Sequence, residues 1–515
     1  MFAMIRAAVL AVVISLAAQS PSALSLKDAA ETIHAADLLR DISYLASDEL
    51  AGRATPSPGQ DLAATYIENA LKKMGVKPFG DGGGYRQHYV VTRTTLKTAE
   101  TKLRIGDRDF SYGTDFVLTS FLTRGVSRGQ VVSVGNGIRS PKLGWDPYKG
   151  LDVRGKWLLV TAPNVLPDGV TRASLGQPGV DHMLPAQEAR TRGAIGLLII
   201  PPPAFTTLDA VTPKPVTARD LNPSVGWAYS QQPLPQVMLS KELAEQLKTA
   251  ARQTVALTIT GDVENTDAYN VVGIIEGADR ALKEQYITVS SHLDGAVGRS
   301  AVNGDAIYNA ADDNASGSAG NLAIARALTQ GPKPRRTIVL IWDTGEETGL
   351  WGSRHIAYGA FSSKIVAHLC VDMIGRTKQP GTDVKGEEDL AGPGEVFAAG
   401  PGVLSTQMDK VLLQVERDYK FAKQNRKFDS ASESFFYPRT DAAPYFERKI
   451  PYVEFFTGLH ADYHRPSDDV AKIDPAKMEA VARTVYAVVA TLANDDVRPR
   501  MDKTLPANLI ALLAR

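Results

Sequence analysis

Histidine and carboxylate residues follow several apolar runs in the second half of this 515-residue chain. In chain order they are His292, Asp312, Glu347, Asp372 and His464, and each comes just after a run that predicts a β-strand. Imidazole and carboxylate groups form a ligand set that suits zinc, although cobalt or manganese could also occupy it. The pattern therefore predicts a site for two metal ions.

Two further carboxylates accompany these predicted ligands. Glu346 directly precedes Glu347, and adjacent residues at a strand end point in different directions, so one can face the metal ions while the other faces the reacting water. Asp294 follows His292 by two residues, on the same predicted strand face, from which it could orient the imidazole. We therefore predict that both carboxylates belong to the site, with Asp294 acting through the imidazole.

The elements that must position these residues are strands alternating with helices. Apolar runs predict strands at 286–290, 337–342, 365–371 and 452–456. Apolar residues at helical spacing predict helices near 27–50, 59–75, 317–329 and 475–494. This order predicts an α/β fold with a mostly parallel central sheet flanked by helices. Since ligands gather beyond the carboxyl ends of parallel strands, the predicted site residues should meet at one edge.

The sequence changes character between residues 119 and 261, where short strands, turns and many prolines occur. Strands are predicted at 129–134, 156–160 and 195–200, with a helix at 184–191. We predict a β-rich insert at 119–261, a catalytic domain of 26–118 and 262–500, and a C-terminal tail of 501–515.

The first 25 residues have the layout of a secretory signal peptide. An apolar run from Ala7 to Ala18 follows Arg6, and cleavage after Ala17, Ala18 or Ser25 would be compatible with the small residues there. The run is short for a membrane span, although a retained N-terminal anchor is the alternative. We predict an exported protein, periplasmic or extracellular, without stable membrane association.

The charge and cysteine content argue against a nucleic-acid-binding protein and against an internal disulfide. Lys plus Arg number 57, as do Asp plus Glu, so no overall electrostatic field favours nucleic acid. The single cysteine, Cys370, cannot form an internal disulfide and is predicted to be a small core residue.

Five short motifs carry a family resemblance. They are Ser291-His292-Leu293-Asp294-Gly295, Asp312-Asp313-Asn314-Ala315-Ser316-Gly317, Gly345-Glu346-Glu347-Thr348-Gly349, Val371-Asp372-Met373-Ile374-Gly375 and Asp462-Tyr463-His464-Arg465-Pro466. Together they resemble the zinc-dependent aminopeptidases and glutamate carboxypeptidases of metallopeptidase family twenty-eight. The resemblance implies a zinc exopeptidase fold of the phosphorylase/hydrolase type. The insert resembles a protease-associated domain.

The resemblance also implies two Zn²⁺ per chain and a role for each ligand. Asp312 would bridge the ions, with His292 and Asp372 completing one and Glu347 and His464 the other. Glu346 would pass a proton from metal-bound water to the leaving amine.

Three other positions qualify the family pattern. The chain has Gly345 where Ala is common and Ala442 where a Ser-Asp-His triplet has His, which leaves Asp441 either structural or in contact with substrate. His460 lies four residues before His464, but Gly458 and Pro466 argue against a shared helix, so His464 is the preferred ligand.

The resulting functional prediction is an exported dinuclear zinc aminopeptidase. It would hydrolyse N-terminal peptide bonds of a peptide substrate by metal-bound hydroxide, with a Glu general base. The alternatives are a glutamate-carboxypeptidase-like hydrolase, a glutaminyl cyclase with one zinc, and an inactive receptor-like binding protein. Side-chain specificity and oligomeric state do not follow from the sequence.

Overall fold

The computed structural model describes most of the chain after the N-terminal segment. The described residues are 23–120, 124–161, 166, 169–176, 181–203, 208, 217–221, 234–248, 253–295, 301–381, 384–429, 440–506, 509–510 and 513. Apart from residues 23–25, the predicted signal peptide lies outside the described residues.

The described strands and helices are as follows, numbered in chain order. The strands are β1 (Lys77–Pro78), β2 (Arg86–Leu96), β3 (Lys102–Ile105), β4 (Arg108–Ser111), β5 (Phe116–Ser120), β6 (Gly125–Ser133), β7 (Trp157–Thr161), β8 (Gly196–Ile200), β9 (Thr217–Leu221), β10 (Gln236–Leu239), β11 (Thr254–Ile259), β12 (Gly261–Ile275), β13 (Tyr286–His292), β14 (Thr337–Asp343), β15 (Ile365–Val371), β16 (Glu395–Ala399), β17 (Lys423–Asn425) and β18 (Tyr452–Phe456). The helices are α1 (Leu26–Glu31), α2 (Ala35–Leu45), α3 (Pro58–Met74), α4 (Arg172–Leu175), α5 (Pro185–Thr191), α6 (Lys241–Lys248), α7 (Gly317–Gln330), α8 (Glu346–Gly349), α9 (Trp351–Ala357), α10 (Pro401–Leu404), α11 (Thr406–Tyr419), α12 (Ala443–Glu447) and α13 (Pro475–Asn494). Short helical turns cover Asp48–Arg53, Asp81–Gly83, Ala311–Ser316, Ser362–Lys364 and Val470–Lys472.

A large central sheet carries the predicted site residues. Its strand order is β17-β16-β18-β15-β13-β14-β12-β2-β9, and β1 also pairs with β12. The four middle strands β18, β15, β13 and β14 run parallel, as predicted. Towards the edges β12, β2, β9 and β16 add antiparallel pairs, so the sheet as a whole is mixed. The predicted α/β fold class is confirmed.

The middle strands are apolar at almost every position because helices cover both faces of the sheet. In β14, Ile338, Leu340 and Trp342 pack into a core shared with α2, α3, α7 and α13. The alternate residues Val339 and Ile341 pack into a second core with α9 and α12. The strand is therefore buried on both faces, and its polar residues collect beyond its end.

Capping residues determine where two helices of the larger core begin. Ser57 accepts the N–H of Gln60 at the start of α3, and Asp474 accepts the N–H of Lys477 at the start of α13. A proline occupies the first helical position in both cases, where its missing N–H removes no hydrogen bond. Gly75, with φ of 73°, ends α3 in the left-handed conformation.

A second sheet is formed by eight described strands that lie between residues 102 and 259. Its strand order is β4-β3-β11-β6-β7-β8-β10-β5. The β3–β4 hairpin pairs with β11, so this sheet includes residues before the predicted boundary at 119. The long strand β12 pairs with both β2 and β14 and leads from the second sheet into the central one.

The described residues of the predicted C-terminal tail pack against the central domain. Leu509 is buried in a cluster with Cys370, Leu404 and Phe446. Lys503 Nζ lies 2.7 Å from an oxygen of Asp409 on α11. Cys370 therefore occupies a core position, as predicted. Among the described helices, none is long and apolar enough to cross a membrane.

We expect His368 on β15 to make stability depend on pH. Its ring stacks on Tyr445 at 3.5 Å, and Nδ1 lies 2.9 Å from Thr288 Oγ1. Burial lowers its pKa from 6.5 to about 3, so the folded chain keeps this histidine neutral while the unfolded chain protonates it below about 6.5. Its contribution should therefore be lost as pH falls, at about 1.4 kcal/mol per pH unit down to the folded pKa.

His368→Phe retains a stacking ring but cannot titrate. Urea unfolding at pH 7 and pH 5 should show that the variant loses about 2 kcal/mol less stability than the wild type over this interval. Equal losses in the two proteins would contradict the assignment.

Candidate metal centre

The predicted site residues converge at the carboxyl edge of the parallel strands. His292 is the last residue of β13, the Glu346–Glu347 pair follows β14, and Asp372 directly follows β15. His464 lies in the loop after β18. The parallel order of these strands thus brings together residues separated by more than a hundred positions.

Two groups of ligand-type atoms share one carboxylate. His292 Nε2 lies 3.3 Å from Asp313 Oδ1 and 3.3 Å from Asp372 Oδ1. His464 Nε2 lies 3.1 Å from Asp313 Oδ2 and 3.2 Å from Glu347 Oε2. Within each group the ligand atoms lie within 4.8 Å of one another. Asp313 therefore presents one oxygen to each group.

Asp313, and not the predicted Asp312, occupies this shared position. Asp312 Oδ1 accepts the N–H of Gly375 at 2.6 Å, and its Oδ2 lies 3.3 Å from His460 Nε2. Successive residues in the turn 311–316 project in different directions, so only one of the two carboxylates can enter the centre. The sequence presents both side by side and does not distinguish them.

Asp312 and His460 form a buried layer behind Asp313. Arg376 Nη1 lies 3.2 Å from His460 Nδ1, and Nη2 donates to Asp462 at 2.9 Å. His460 is thus placed against Asp312 and is outside both ligand groups, whereas His464 belongs to one of them.

Asp468 fixes the main chain at Asp312 and Asp313. The sequence did not predict this role. Its two oxygens accept the N–H of Asp312 at 3.1 and 3.0 Å, and Oδ2 also accepts the N–H of Asp313 at 3.1 Å. Asp468 is only 1% exposed. An aspartate after Pro466-Ser467 is typical of a surface loop, so the sequence carries no distinct signal for this role.

Asn314 connects the Asp313 segment to the end of β15. Its Nδ2 donates to Val371 O at 3.0 Å, and its Oδ1 accepts the N–H groups of Met373 at 3.2 Å and Gly317 at 2.8 Å. These bonds fix the main chain on both sides of Asp372. Two candidate ligands from distant parts of the sequence therefore share one rigid support.

Asp294 orients the glutamate pair, and only its main chain contacts the imidazole. His292 Nδ1 lies 2.9 Å from Asp294 O but 4.0 Å from Asp294 Oδ1. The Asp294 carboxylate accepts the N–H groups of Gly345 at 2.8 Å, Glu346 at 3.3 Å and Glu347 at 3.4 Å. The prediction that Asp294 lies on the same strand face as His292 is wrong, because β13 ends at His292.

Gly345 is required by the turn that precedes the glutamates. Its φ is 76°, and a Cβ there would lie 2.6 Å from Cε3 of the buried Trp351. An alanine would be both strained and in collision. Glycine is therefore the residue that the turn beside Trp351 accommodates.

Arg53 holds two loops beside the centre from within the protein. It is completely buried and donates to Leu293 O at 2.8 Å, Asn309 O at 2.9 Å and Ala310 O at 3.0 Å. Burial lowers its pKa to about 10, so it remains charged at neutral pH. Its acceptors are main-chain carbonyls next to His292 and the Asp313 turn, which gives the Asp48–Arg53 segment a role in shaping the site.

The buried charges of the centre favour a cation. Burial raises the pKa of Glu347 to about 7, with the charge of Asp313 adding to the effect, and burial also raises the pKa of Asp372. Burial would raise the pKa of Asp313 as well, but its contacts with His292 and His464 lower it overall. Carboxylates this close and this dehydrated repel one another unless positive charge lies between them.

Buried ligand-type atoms without a hydrogen-bond partner indicate where a bound cation would lie. Among the described residues, His292 Nε2, Glu347 Oε1 and Asp372 Oδ1 are buried and form no hydrogen bond. Buried polar atoms of this kind require a partner. Two zinc ions, one held by His292, Asp313 and Asp372 and the other by Asp313, Glu347 and His464, would supply it with the preferred nitrogen and oxygen ligands.

A cavity of about 400 Å³ opens beside the two groups. Its walls include Asp313, Glu346, Glu347, Asp372 and His464. Other walls come from Met373, Tyr463 and residues of β18 and its flanking loops. The centre therefore faces a space large enough for part of a small ligand.

We expect Asp313→Asn and Asp312→Asn to differ sharply in metal content. The first removes a charged oxygen from both groups, so elemental analysis after gel filtration should find less than about one zinc per chain. The second changes a residue behind the centre and should retain about two. Equal metal content in the two variants would contradict the placement of Asp313.

Asp294→Asn should destabilise the metal-free protein. It weakens charge-assisted hydrogen bonds to the main chain of the glutamate turn, which contribute about 2 kcal/mol. Chemical unfolding in the presence of a chelator would measure the change. Asp262→Asn is a matched control, because that carboxylate is 72% exposed beside Lys97 and should change stability by less than about 0.5 kcal/mol.

Comparisons with known proteins give a family match over the part of the chain that carries the site. The model of peptidase family M28 matches residues 270–489, which include both ligand groups. Leucine aminopeptidase 2 of Trichophyton rubrum is 24% identical over 300 residues, covering 52% of this chain and 55% of the relative. A probable glutamate carboxypeptidase of Arabidopsis thaliana is 27% identical over 299 residues, covering 49% and 39%. The chain thus matches about half the length or less of these relatives.

Among solved structures, an aminopeptidase from Aneurinibacillus sp. strain AM-1 has the same fold. It superposes with a TM-score of 0.51 and 19% identity, over 94% of this chain and 99% of that one. The match over residues 270–489 confirms the resemblance to peptidase family M28 that the sequence motifs predict.

Proposed function

We propose that this protein is a dinuclear zinc aminopeptidase. The observation that carries the proposal is the placement of Asp313, whose two oxygens face two separate groups of ligand atoms. One carboxylate shared in this way is what two closely spaced divalent ions require, since the bridging charge reduces their repulsion.

The residues present are suited to hydrolysis of a peptide bond. When bound, two zinc ions would polarise the scissile carbonyl and lower the pKa of a coordinated water towards neutrality. The three carboxylates Asp313, Glu347 and Asp372 would leave a net positive charge of about one on such a centre. That charge would stabilise an oxyanion developing on the substrate.

Glu346 would move the proton. It lines the same cavity as the ligands, and its main-chain N–H is held by Asp294. Burial raises the pKa of Glu346 well above its ordinary value, and the charge of Glu347 adds to the effect. A carboxylate that binds its proton more tightly can accept one from the attacking water and return it to the leaving amine.

The charge of the cavity favours a substrate with a free amino terminus. Among its described wall residues there are five carboxylates, Asp313, Glu346, Glu347, Asp372 and Glu454, and no Lys or Arg. Bound ions would balance Asp313, Glu347 and Asp372, so only the remaining carboxylates would attract a substrate ammonium group, whereas a terminal carboxylate would need an arginine or lysine. This supports an aminopeptidase over a carboxypeptidase.

The remaining proposals concern the protein around the site. We infer an exported, periplasmic or extracellular enzyme that acts on peptides, from the sequence of residues 1–25. The second sheet, with the parallel strands β6, β7, β8 and β10, supports a protease-associated-like insert.

Glu346→Gln should retain about two zinc per chain and lose roughly 10²-fold or more in kcat, because only the proton acceptor is removed. The measurement is hydrolysis of a panel of aminoacyl anilides by the mature chain, before and after chelation, with metal content measured in parallel. Glu347→Gln is the matched neighbour, and it should lose metal as well as activity.

The other outcomes identify the alternatives. Cleavage of an acidic dipeptide but no anilide would indicate a carboxypeptidase. One zinc per chain with cyclisation of N-terminal glutamine would indicate a glutaminyl cyclase. A protein without bound metal that cleaves nothing would be a binding protein, and the catalytic proposal would be wrong.

A further inference from the structure

Glu454 is a buried carboxylate in the wall of the cavity that is neither a proposed metal ligand nor the proposed proton acceptor. It lies on β18 and is 1% exposed. Its Oε2 accepts a hydrogen bond from Thr440 Oγ1 at 2.6 Å. Its Oε1 is buried and has no hydrogen-bond partner among the described residues. One oxygen of the carboxylate is therefore available to a ligand in the cavity.

Strand register places Glu454 deeper in the molecule than the metal ligands. Glu454 pairs with Cys370 in the parallel β15–β18 pair, and Asp372 lies two residues beyond Cys370 towards the open edge of the sheet. Two residues of a strand correspond to roughly 7 Å. Glu454 is therefore one side-chain length below the level at which Asp372 enters the centre.

Several cavity walls between the level of Glu454 and the open edge are apolar. Met373 and Phe456 are buried wall residues, at 2% and 6% exposure, and Leu459 lies beside them. Among the described wall residues, apolar side chains are thus combined with one carboxylate, Glu454, that is not a proposed ligand or proton acceptor. Long cationic side chains have the complementary pattern, an apolar stem that ends in a charged group.

We propose that Glu454 selects substrates whose N-terminal residue is lysine or arginine. This inference rests on the proposed aminopeptidase function. With the scissile bond at the metal centre, the first side chain of the peptide would extend past Met373, Phe456 and Leu459, and its cation would pair with Glu454 Oε1. An extended lysine side chain spans roughly 6 Å from Cα to Nζ, which matches the depth of Glu454.

The alternative partner for Glu454 is the α-ammonium group of the substrate. That group is one bond from the Cα that carries the scissile carbonyl, so it must lie close to the metal ligands. Glu346 and Asp372 are wall residues at that level. The deeper carboxylate is better placed for the end of a long side chain.

The test compares lysyl and norleucyl p-nitroanilides, which differ by the terminal ammonium group of the side chain. The wild type should favour the lysyl substrate by about tenfold or more in kcat/KM, the effect of a buried charge-assisted hydrogen bond. Glu454→Gln should remove most of this preference through a higher KM for the lysyl substrate, while norleucyl hydrolysis changes by less than about threefold. Glu276→Gln, a control at a 62% exposed carboxylate, should leave the ratio unchanged.

A second measurement needs no variant. Lysinol should inhibit the wild type at least about tenfold more strongly than norleucinol, because only lysinol has a side-chain ammonium group to pair with Glu454. Neither amino alcohol contains a bond to cleave, so the comparison measures binding alone. Calorimetry with the same pair should give the same ratio of dissociation constants.

The outcomes separate this inference from the proposed function. Metal-dependent cleavage of the norleucyl substrate at least as fast as the lysyl one would overturn the role of Glu454 and leave the aminopeptidase intact. An equal loss of both activities in Glu454→Gln would also overturn it and indicate a structural role or an α-ammonium contact. Cleavage of neither substrate by the wild type would overturn both proposals.

Discussion

The structure depends on compensating the charge of one buried carboxylate and its neighbours. Asp313 is 4% exposed and lies between two imidazoles, with Asp372 and Glu347 on either side. In so dehydrated a position, ionised carboxylates repel strongly unless cations lie among them. The arrangement therefore carries a requirement for positive charge, and the shared position of Asp313 divides that requirement between two places.

Main-chain hydrogen bonds keep this unfavourable arrangement in place. Asp468 holds the N–H groups behind Asp313, Asn314 holds the chain around Asp372, and Asp294 holds the glutamate turn. These polar side chains are buried and bonded mainly to the backbone, so each fixes a loop and not merely a neighbouring side chain. Backbone strain concentrates in the same region, since Met373 and His464 both have positive φ. The β-sheet provides the rigid body on which these loops are fixed.

The two proposals assign different depths of the cavity to two tasks. Carboxylates at the level of Asp372 face the metal centre, while Glu454 lies about two strand residues further in, beyond the centre. A parallel sheet makes this separation possible, because successive residues on one face of adjacent strands line a cavity at regular intervals. Chemistry and side-chain selection can thus change independently in such a fold.

The sequence by itself determined the α/β class, the site-bearing strands and four of the five predicted metal-ligand positions that the structure brings together. Strands 365–371 and 452–456 have the predicted bounds, because fully buried parallel strands need uninterrupted apolar runs that end where polar residues begin. Four predicted residues, His292, Glu347, Asp372 and His464, meet as expected. Only the tertiary structure decided between Asp312 and Asp313, since the two aspartates are adjacent in the sequence and their side chains point in different directions. The same holds for Asp468 and Glu454, whose burial and missing partners come from contacts between segments far apart in the chain.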